Sequence, residues 1–436
     1  MPPVSAAESP ISARMALMLA AVHFLAYADR AVAAAFAPDI KLAFGLDDAS
    51  IGALQGAPLF ISYLLATLWA GRRLTRPLRP GRYIGLCLLL WTAAGVVFAL
   101  APDFPTLVGA RLVFGLGQAA FAPVAVMLLA AAAPVRGVQP IAVFTAGSST
   151  GRSGGLLLGG ALMLLAGATG LGALLAPWRA AALALLLPNL LLAFVFLRWR
   201  ADPVADSARP GLLATLAWFR RWPATAGLYA AAACGVIVIV QSLGAWAPSI
   251  LGRQFAVTTA EAGLLTGLAV LVGAPLGHLA AGRVAARARF AARGPGSGLA
   301  AAALTAIAAG LGLLVAPGLP AALAWMTLLV AAGGFGAAAV LMGLQPLVPP
   351  SLHRGANSLF FVLITLVGTA GGPLVTGAVS DLLDPAGDRL TLSLAVVVAS
   401  AGTVVALAAL TGAAGWRRLA ARVETGPDPE RCPPDA

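Results

Sequence analysis

Apolar residues run in blocks of about 20, separated by short polar stretches rich in arginine, glycine and proline, along the whole 436-residue chain. A block of that length is what an α-helix needs to cross the hydrocarbon core of a bilayer. Twelve such blocks can be marked, at 14–37, 50–70, 83–101, 106–133, 141–165 and 180–198, then 224–249, 262–282, 298–316, 321–345, 358–380 and 391–413. The pattern predicts an all-α membrane protein with 12 transmembrane helices. Between the sixth and seventh blocks lies RWRADPVADSARPGLLATLAWFRRWP, 198–223, which is polar, contains proline and reads as a linker. The expected organisation is a tail at 1–13, a six-helix half at 14–198, a linker at 199–223, a second six-helix half at 224–413 and a tail at 414–436. No connecting stretch is long enough to fold as a separate soluble domain.

The two halves repeat one another. SIGALQGAPLFISYLLATLWAGRRLTR (50–76) aligns without a gap on EAGLLTGLAVLVGAPLGHLAAGRVAAR (261–287). Gly52 then falls on Gly263, Gly56 on Gly267, Gly71 on Gly282, Arg72 on Arg283 and Arg76 on Arg287. Further along, APDFP (101–105) matches APGLP (316–320), and Arg136-Gly137 matches Arg354-Gly355. Repeats in the same order, each with an even number of spans, give parallel halves related by an axis along the membrane normal.

Composition removes the competing classes. The chain is 60% hydrophobic and only 10% charged, against about 25% charged in soluble domains. The net charge of +12 does not read as a nucleic-acid surface, because the arginines sit in short loops between apolar blocks. With the N-terminus inside, 21 of the 28 basic residues fall on the inner side and 4 (Lys41, Arg179, Arg253, Arg389) on the outer side. That asymmetry places both termini in the cytoplasm. Three cysteines, Cys87, Cys234 and Cys432, form neither a disulfide framework nor a metal cluster. No HExxH, Ser/His dyad or acid pair points to catalysis, so the chain is not expected to be an enzyme, and no cofactor or metal is implied. The glycine-rich GSSTGRSGGLLLGG (147–160) lacks the lysine and the strand–loop–helix context of a phosphate loop and suits close helix packing.

Several segments carry a family likeness. GRRLTRPLR (71–79), Trp178-Arg179 and VPPSLHRGANSLFFVLITLVGTAGGPLVTGAVSD (348–381), with the parallel six-helix halves, resemble the major facilitator superfamily. YADRAVAAAFAPDIKLAFGL (27–46), RLVFGLGQAAFAP (111–123) and AWAPSILGR (245–253) are most similar to the spinster-like lipid transporters and their bacterial relatives. The resemblance implies an alternating-access transporter in a bacterial inner membrane. Its cytoplasmic gate motif would comprise Gly71, Thr75, Arg76, Gly282 and Arg287. The chain departs from the pattern where the motif's acid would fall, at Thr75 and Ala286, and again at Gln118, where the spinster-like pattern has an acid.

An ionised group at the centre of a membrane helix costs about 2.5–3.5 kcal/mol on insertion scales, so each one inside a span marks a candidate site. Asp29 and Arg30 lie together in span one, with Tyr27 and His23 nearby; Arg111 and Gln118 lie in span four and Arg152 in span five. Asp29 and Arg111 are expected at similar depth, and the resemblance puts spans one and four on a central cavity. Three arginines facing one carboxylate suit an anionic group. In the second half only Gln241, Ser242 and Trp246 offer polarity to that cavity. The expected substrate is an amphipathic or organic anion, lysolipid-like, moved by a secondary active or facilitative transporter that acts as a monomer, with protons as a candidate coupling partner. The competing readings are a non-transporting receptor, a lipid scramblase and a proton-driven drug efflux protein.

Overall fold

The computed structural model describes residues 13–73, 79–130, 140–169, 175–199, 212–286, 296–383 and 389–425. Its first half contains α1 (Ala13–Ala35), a short α2 (Ala37–Phe44), α3 (Asp48–Arg73), α4 (Pro80–Ala99), α5 (Phe104–Ala130) and α6 (Pro140–Ala168), with α7 (Pro177–Leu185) and α8 (Leu187–Arg198) together making the sixth span. After α9 (Leu212–Arg220) come α10 (Pro223–Phe255), α11 (Thr259–Ala285), α12 (Gly296–Leu314), α13 (Leu319–Leu344), α14 (His353–Ile364), α15 (Gly371–Leu383) and α16 (Leu390–Thr425). Among the described residues 11 spans are long and apolar enough to cross a membrane; α3 supplies the remaining expected span by position. Lipid is the natural solvent for faces carrying Leu187 and Leu191, which are 64% and 66% exposed.

Local chemistry sets the helix ends. Proline opens α4, α6, α7 and α10, where its missing N–H costs no intrahelical bond. Asp47 caps α3 by accepting from the Ser50 N–H at 2.7 Å, and Asp103 caps α5 by accepting from the Thr106 N–H at 2.8 Å. Thr258 and Glu261 exchange hydrogen bonds as a capping box at the start of α11. At the far end of α4, Arg179 donates to the Ala99 and Ala101 carbonyls at 2.8 and 2.9 Å, while its guanidinium lies 4.7 Å from the Trp178 ring centroid. The Trp178-Arg179 pair therefore closes a helix terminus.

Four features add to the pattern read from the sequence. The sixth span is not one continuous helix: Pro188 has no N–H for the Ala184 carbonyl, and the helix breaks at Leu186. Within the linker, α9 occupies the second part, and its Trp218 indole donates to the Leu347 carbonyl at 3.0 Å. The final helix runs on to Thr425, well beyond the apolar block that ends at 413, with the Trp416 indole donating to the Thr225 carbonyl and Arg422 lying 4.9 Å from the Trp222 ring centroid. The eleventh span carries a π-helical turn at Thr365–Ala370 between α14 and α15.

Contacts divide the chain into two units, 1–208 with 247–271, and 209–246 with 272–436. In the first, Trp91, Phe121, Phe196, Leu88 and Ile84 form a fully buried aromatic and aliphatic core. In the second, Tyr229, Trp416, Val348 and Leu299 do the same, with the Tyr229 hydroxyl donating to the Val340 carbonyl.

Candidate functional site

The site residues of the first unit hang on the packing of α1 against α6. Gly147, Gly151 and Gly155 recur every four residues on α6 and face Ala20, Phe24 and Ala28, which recur at the same spacing on α1. A Cβ at Gly147 would come within 2.6 Å of the Ala20 carbonyl oxygen, and one at Gly155 within 2.6 Å of the Ala28 Cα. The glycine-rich run is thus a backbone-to-backbone seam. It fixes the rotation of α1 and so decides where Asp29 and Arg30 point.

Adjacent helical residues point about 100° apart. Asp29, 3% exposed, turns towards α8, where its Oδ2 accepts from Asn189 Nδ2 at 2.7 Å. Trp91 of α4 lies beside it, fully buried, with its indole N–H turned towards the carboxyl but outside close hydrogen-bond geometry. Arg30 turns instead to α5: its Nε donates to Gln118 Oε1 at 2.5 Å, and its guanidinium lies 4.6 Å from the Tyr27 ring centroid. Gln118 completes a two-way link by donating its amide to the Ala26 carbonyl at 2.9 Å. His23, one turn before Tyr27, stacks on Phe144 at 3.9 Å and donates from Nδ1 to its carbonyl at 2.8 Å.

Arg111 does not meet Asp29 as the depth argument expected. No ion pair within 4 Å joins them. The Arg111 guanidinium is instead held between Phe98 and Phe114, 5.8 and 5.6 Å from their ring centroids, and its Nε has no partner. Asp29 and Arg111 still interact electrostatically, as do Arg111 and Arg30. Arg152 interacts in the same way with Tyr27 and Arg30. Arg30, Arg111 and Arg152 therefore share one electrostatic neighbourhood even though each has different contacts.

Asn189 was not among the sequence candidates. Its signal was legible: it is the one polar residue between Arg179 and Arg198 in an otherwise apolar span, directly after Pro188. Leu187, Leu190 and Leu191 around it are exposed, while Asn189 is fully buried, so it is the residue of that turn that faces inward.

In the second unit Trp246 is fully buried and its indole donates to the Pro373 carbonyl at 3.0 Å, so it ties α10 to α15 rather than offering an open polar face. Ser242 is also fully buried, beside Gly372, and its hydroxyl has no partner. Gln241 is half-buried on the same helix. Of the gate motif, Thr75, Arg76 and Arg287 lie outside the described residues; Gly71 is in α3, and Gly282 is exposed near the end of α11 with nothing close to its Cβ position.

A second polar cluster was not expected. Asp48, fully buried, accepts from Arg253 through both oxygens at 2.6 and 2.7 Å and from Lys41, the only lysine in the chain, at 2.6 Å. It joins α2, α3 and the end of α10 within the first unit. Also within the first unit, Ser153 of α6 donates to the Gly267 carbonyl of α11 at 2.9 Å, and Gly160 lies against the Ala260 carbonyl.

Spanning helices in this number, with charged side chains held between them, define a polytopic membrane protein. The profile of the Major Facilitator Superfamily matches residues 19–376, and the chain belongs to that superfamily. It is 28% identical over 422 residues to an MFS-type efflux pump of Mycolicibacterium smegmatis, covering 92% of each chain. A bacterial homologue of the human lysosomal transporter Spinster, in an inward-facing, unoccupied conformation, has a similar fold: TM-score 0.75, 20% identity, 95% of this chain and 98% of that one. A D-xylose–proton symporter is also similar, with TM-score 0.67, 17% identity, and 91% and 96% coverage. These two structural likenesses establish the fold. The chain is an integral membrane protein of a transporter superfamily whose members carry small substrates.

Proposed function

We propose that the chain moves an amphipathic anion, of the lysolipid type, across a bacterial inner membrane by alternating access, with both termini in the cytoplasm. The observation that carries this reading is the surplus of positive charge in the first unit. Arg30, Arg111 and Arg152 interact in one neighbourhood, and the carboxylate there, Asp29, takes its hydrogen bond from a neutral amide. Surplus charge inside a membrane bundle is stabilised when an anion is bound. Guanidinium groups match carboxylate and phosphate geometry, and the apolar character of the surrounding spans suits an acyl chain. The similarity to a protein named as an efflux pump supports a second reading, outward movement of amphipathic drugs, in which the same arginines would bind acidic compounds.

The test uses purified protein and two single-chain lipids that differ only in the headgroup, lysophosphatidate and monoacylglycerol. Lysophosphatidate is expected to bind about tenfold or more tightly, and Arg30→Gln to remove most of that difference, since one charge-assisted contact contributes about 1.5–3 kcal/mol. Equal binding of the two lipids by the wild type would refute the anion reading.

A further inference from the structure

Asp29 and Arg30 are consecutive, yet their side chains belong to two different networks. Asp29 lies in the interior of the first unit with Asn189, Trp91 and Arg111, at 3%, 0%, 0% and 4% exposure. Arg30 and Tyr27 are half-buried on another face of α1, linked to α5 through Gln118. A buried carboxylate in the electrostatic neighbourhood of Arg111 would ordinarily pair with it, because opposite charges attract strongly where water is scarce. Here no ion pair within 4 Å joins Asp29 to Arg111, and Asp29 Oδ2 is held at 2.7 Å by the amide of Asn189. Its Oδ1 has no partner, nor has the Asn189 Oδ1. The Asn189 amide, the one close hydrogen bond, therefore sets the direction of the carboxylate, with the Trp91 indole beside it.

The placement of Asn189 follows from the break in the sixth span. Pro188 ends the regular bonding of α7, α8 restarts at Leu187, and Asn189 comes in its first turn facing α1. The side chain has no other hydrogen bond, and its neighbours in sequence are leucines turned outward. A fully buried amide costs free energy unless it is hydrogen-bonded, and the one side-chain hydrogen bond of Asn189 is to Asp29.

We propose that Asn189 is a positioning residue for the anion site: it holds the Asp29 carboxylate towards α8 and so prevents it from competing with a bound anion for Arg111, its electrostatic neighbour. An arginine or lysine at 189 would bind Asp29 more tightly but add charge, whereas leucine would release it. Asparagine directs the carboxylate and leaves the charge balance of the site unchanged. The proposal rests on the anion reading above and goes beyond it by assigning Asn189 a role and Asp29 a direction.

Two measurements on the full-length purified protein test it. The first compares lysophosphatidate with monoacylglycerol in wild type, Asn189→Leu, Asp29→Asn and the double variant. Asn189→Leu is expected to weaken lysophosphatidate binding about tenfold, the scale of one charge-assisted contact, and to leave monoacylglycerol unchanged. Adding Asp29→Asn should return lysophosphatidate affinity to that of Asp29→Asn alone, because the competing carboxylate is gone. Weakening of both lipids alike, or weakening that Asp29→Asn does not relieve, would show only disturbed packing and overturn the proposal. The second measurement needs no ligand. Asn189→Leu is expected to lower the Tm by about 5 °C in the wild type and by less than half as much in the Asp29→Asn background. Additive effects on Tm would overturn the proposal even if the wild type ignored the lipid headgroup, a result that by itself refutes only the anion reading. Asn189→Ser, a smaller change that also shortens the reach to Asp29, serves the same comparisons should the leucine variant fail to accumulate.

Discussion

At position 118 a single amide does two jobs that a carboxylic acid would do differently. Gln118 accepts from Arg30 and donates to the Ala26 carbonyl at the same time. An ionised glutamate there would strengthen the bond to Arg30 but would have no hydrogen to give Ala26; a protonated one would do the reverse. Gln118→Glu would therefore install a proton-dependent switch between two arrangements of α1 and α5. Uptake by the wild type in proteoliposomes is expected to depend weakly on an imposed pH gradient, and uptake by Gln118→Glu to depend on it clearly. Asp29→Asn should leave the wild type's weak dependence as it is. A wild type driven strongly by the gradient and silenced by Asp29→Asn would instead make Asp29 the proton carrier.

Elements in this protein are joined by the absence of side chains as much as by their presence. The α1–α6 seam has no room for a branched residue at Gly155, whose Cβ would meet backbone atoms of Ala28, and backbone cannot step aside as a flexible side chain can. Gly155→Val is expected to destabilise by about 3 kcal/mol or more and to reduce accumulation in the membrane. Gly167→Ala, on the same helix with nothing within 4 Å of its Cβ position, should be neutral or slightly stabilising, as a helical Gly→Ala change usually is. Thermal melts of the two purified variants make the comparison. The helix caps add a dependence on pH. Hydrogen bonds from the Ser50 side chain and N–H hold the Asp47 carboxyl below the usual carboxylate range, and those from Thr106 do the same for Asp103. A carboxyl lowered on folding stabilises the protein above its unfolded value, near 4, and that contribution is lost as the pH falls through the folded value. Asp39 has the opposite sign: burial raises its carboxyl above the usual range, so its protonation favours the folded state. Melting temperature should accordingly decline below about pH 4, and Asp47→Ala should flatten that decline.

On the scale of the whole molecule the arginine asymmetry and the Asp48 cluster bear on one question, what holds the outer end of the first unit together. With the N-terminus inside, Asp48, Lys41 and Arg253 lie at the outer end of the first unit, and so does the exposed Asp103. A cysteine at Asp103 is expected to react with an impermeant thiol reagent added to intact cells; reaction only after permeabilisation would reverse the orientation. Breaking a buried pair by removing one partner leaves uncompensated charge. Asp48→Asn would leave Lys41 and Arg253 repelling each other where both are now held by one carboxylate. It should loosen the outer end, so that a cysteine at Thr266, fully buried beside the Ser153–Gly267 contact, reacts several-fold faster from outside than in the wild-type background. Unchanged reactivity would mean that glycine packing alone holds the first unit together there.

The sequence by itself determined the class and architecture of this protein. Twenty-residue apolar blocks have one physical solution in a bilayer, the spanning helix, and the in-register repeat of Gly52, Gly56 and Gly71 on Gly263, Gly267 and Gly282 carries the twofold organisation. The charged residues inside the spans were legible for the same reason, since nothing but a partner or a function offsets their cost. Which partner each one takes was not legible. Helical rise gives depth but not rotation, so Asp29 and Arg111 matched in depth while the α1–α6 seam turned Asp29 to Asn189 and Arg30 to Gln118. For the same reason the hydrogen bond of the Trp246 indole to Pro373 was not legible. The Asp48 cluster joins residues 205 positions apart, and no local pattern announces such a meeting. Side-chain direction is decided by which faces pack, and packing is a property of the tertiary structure alone.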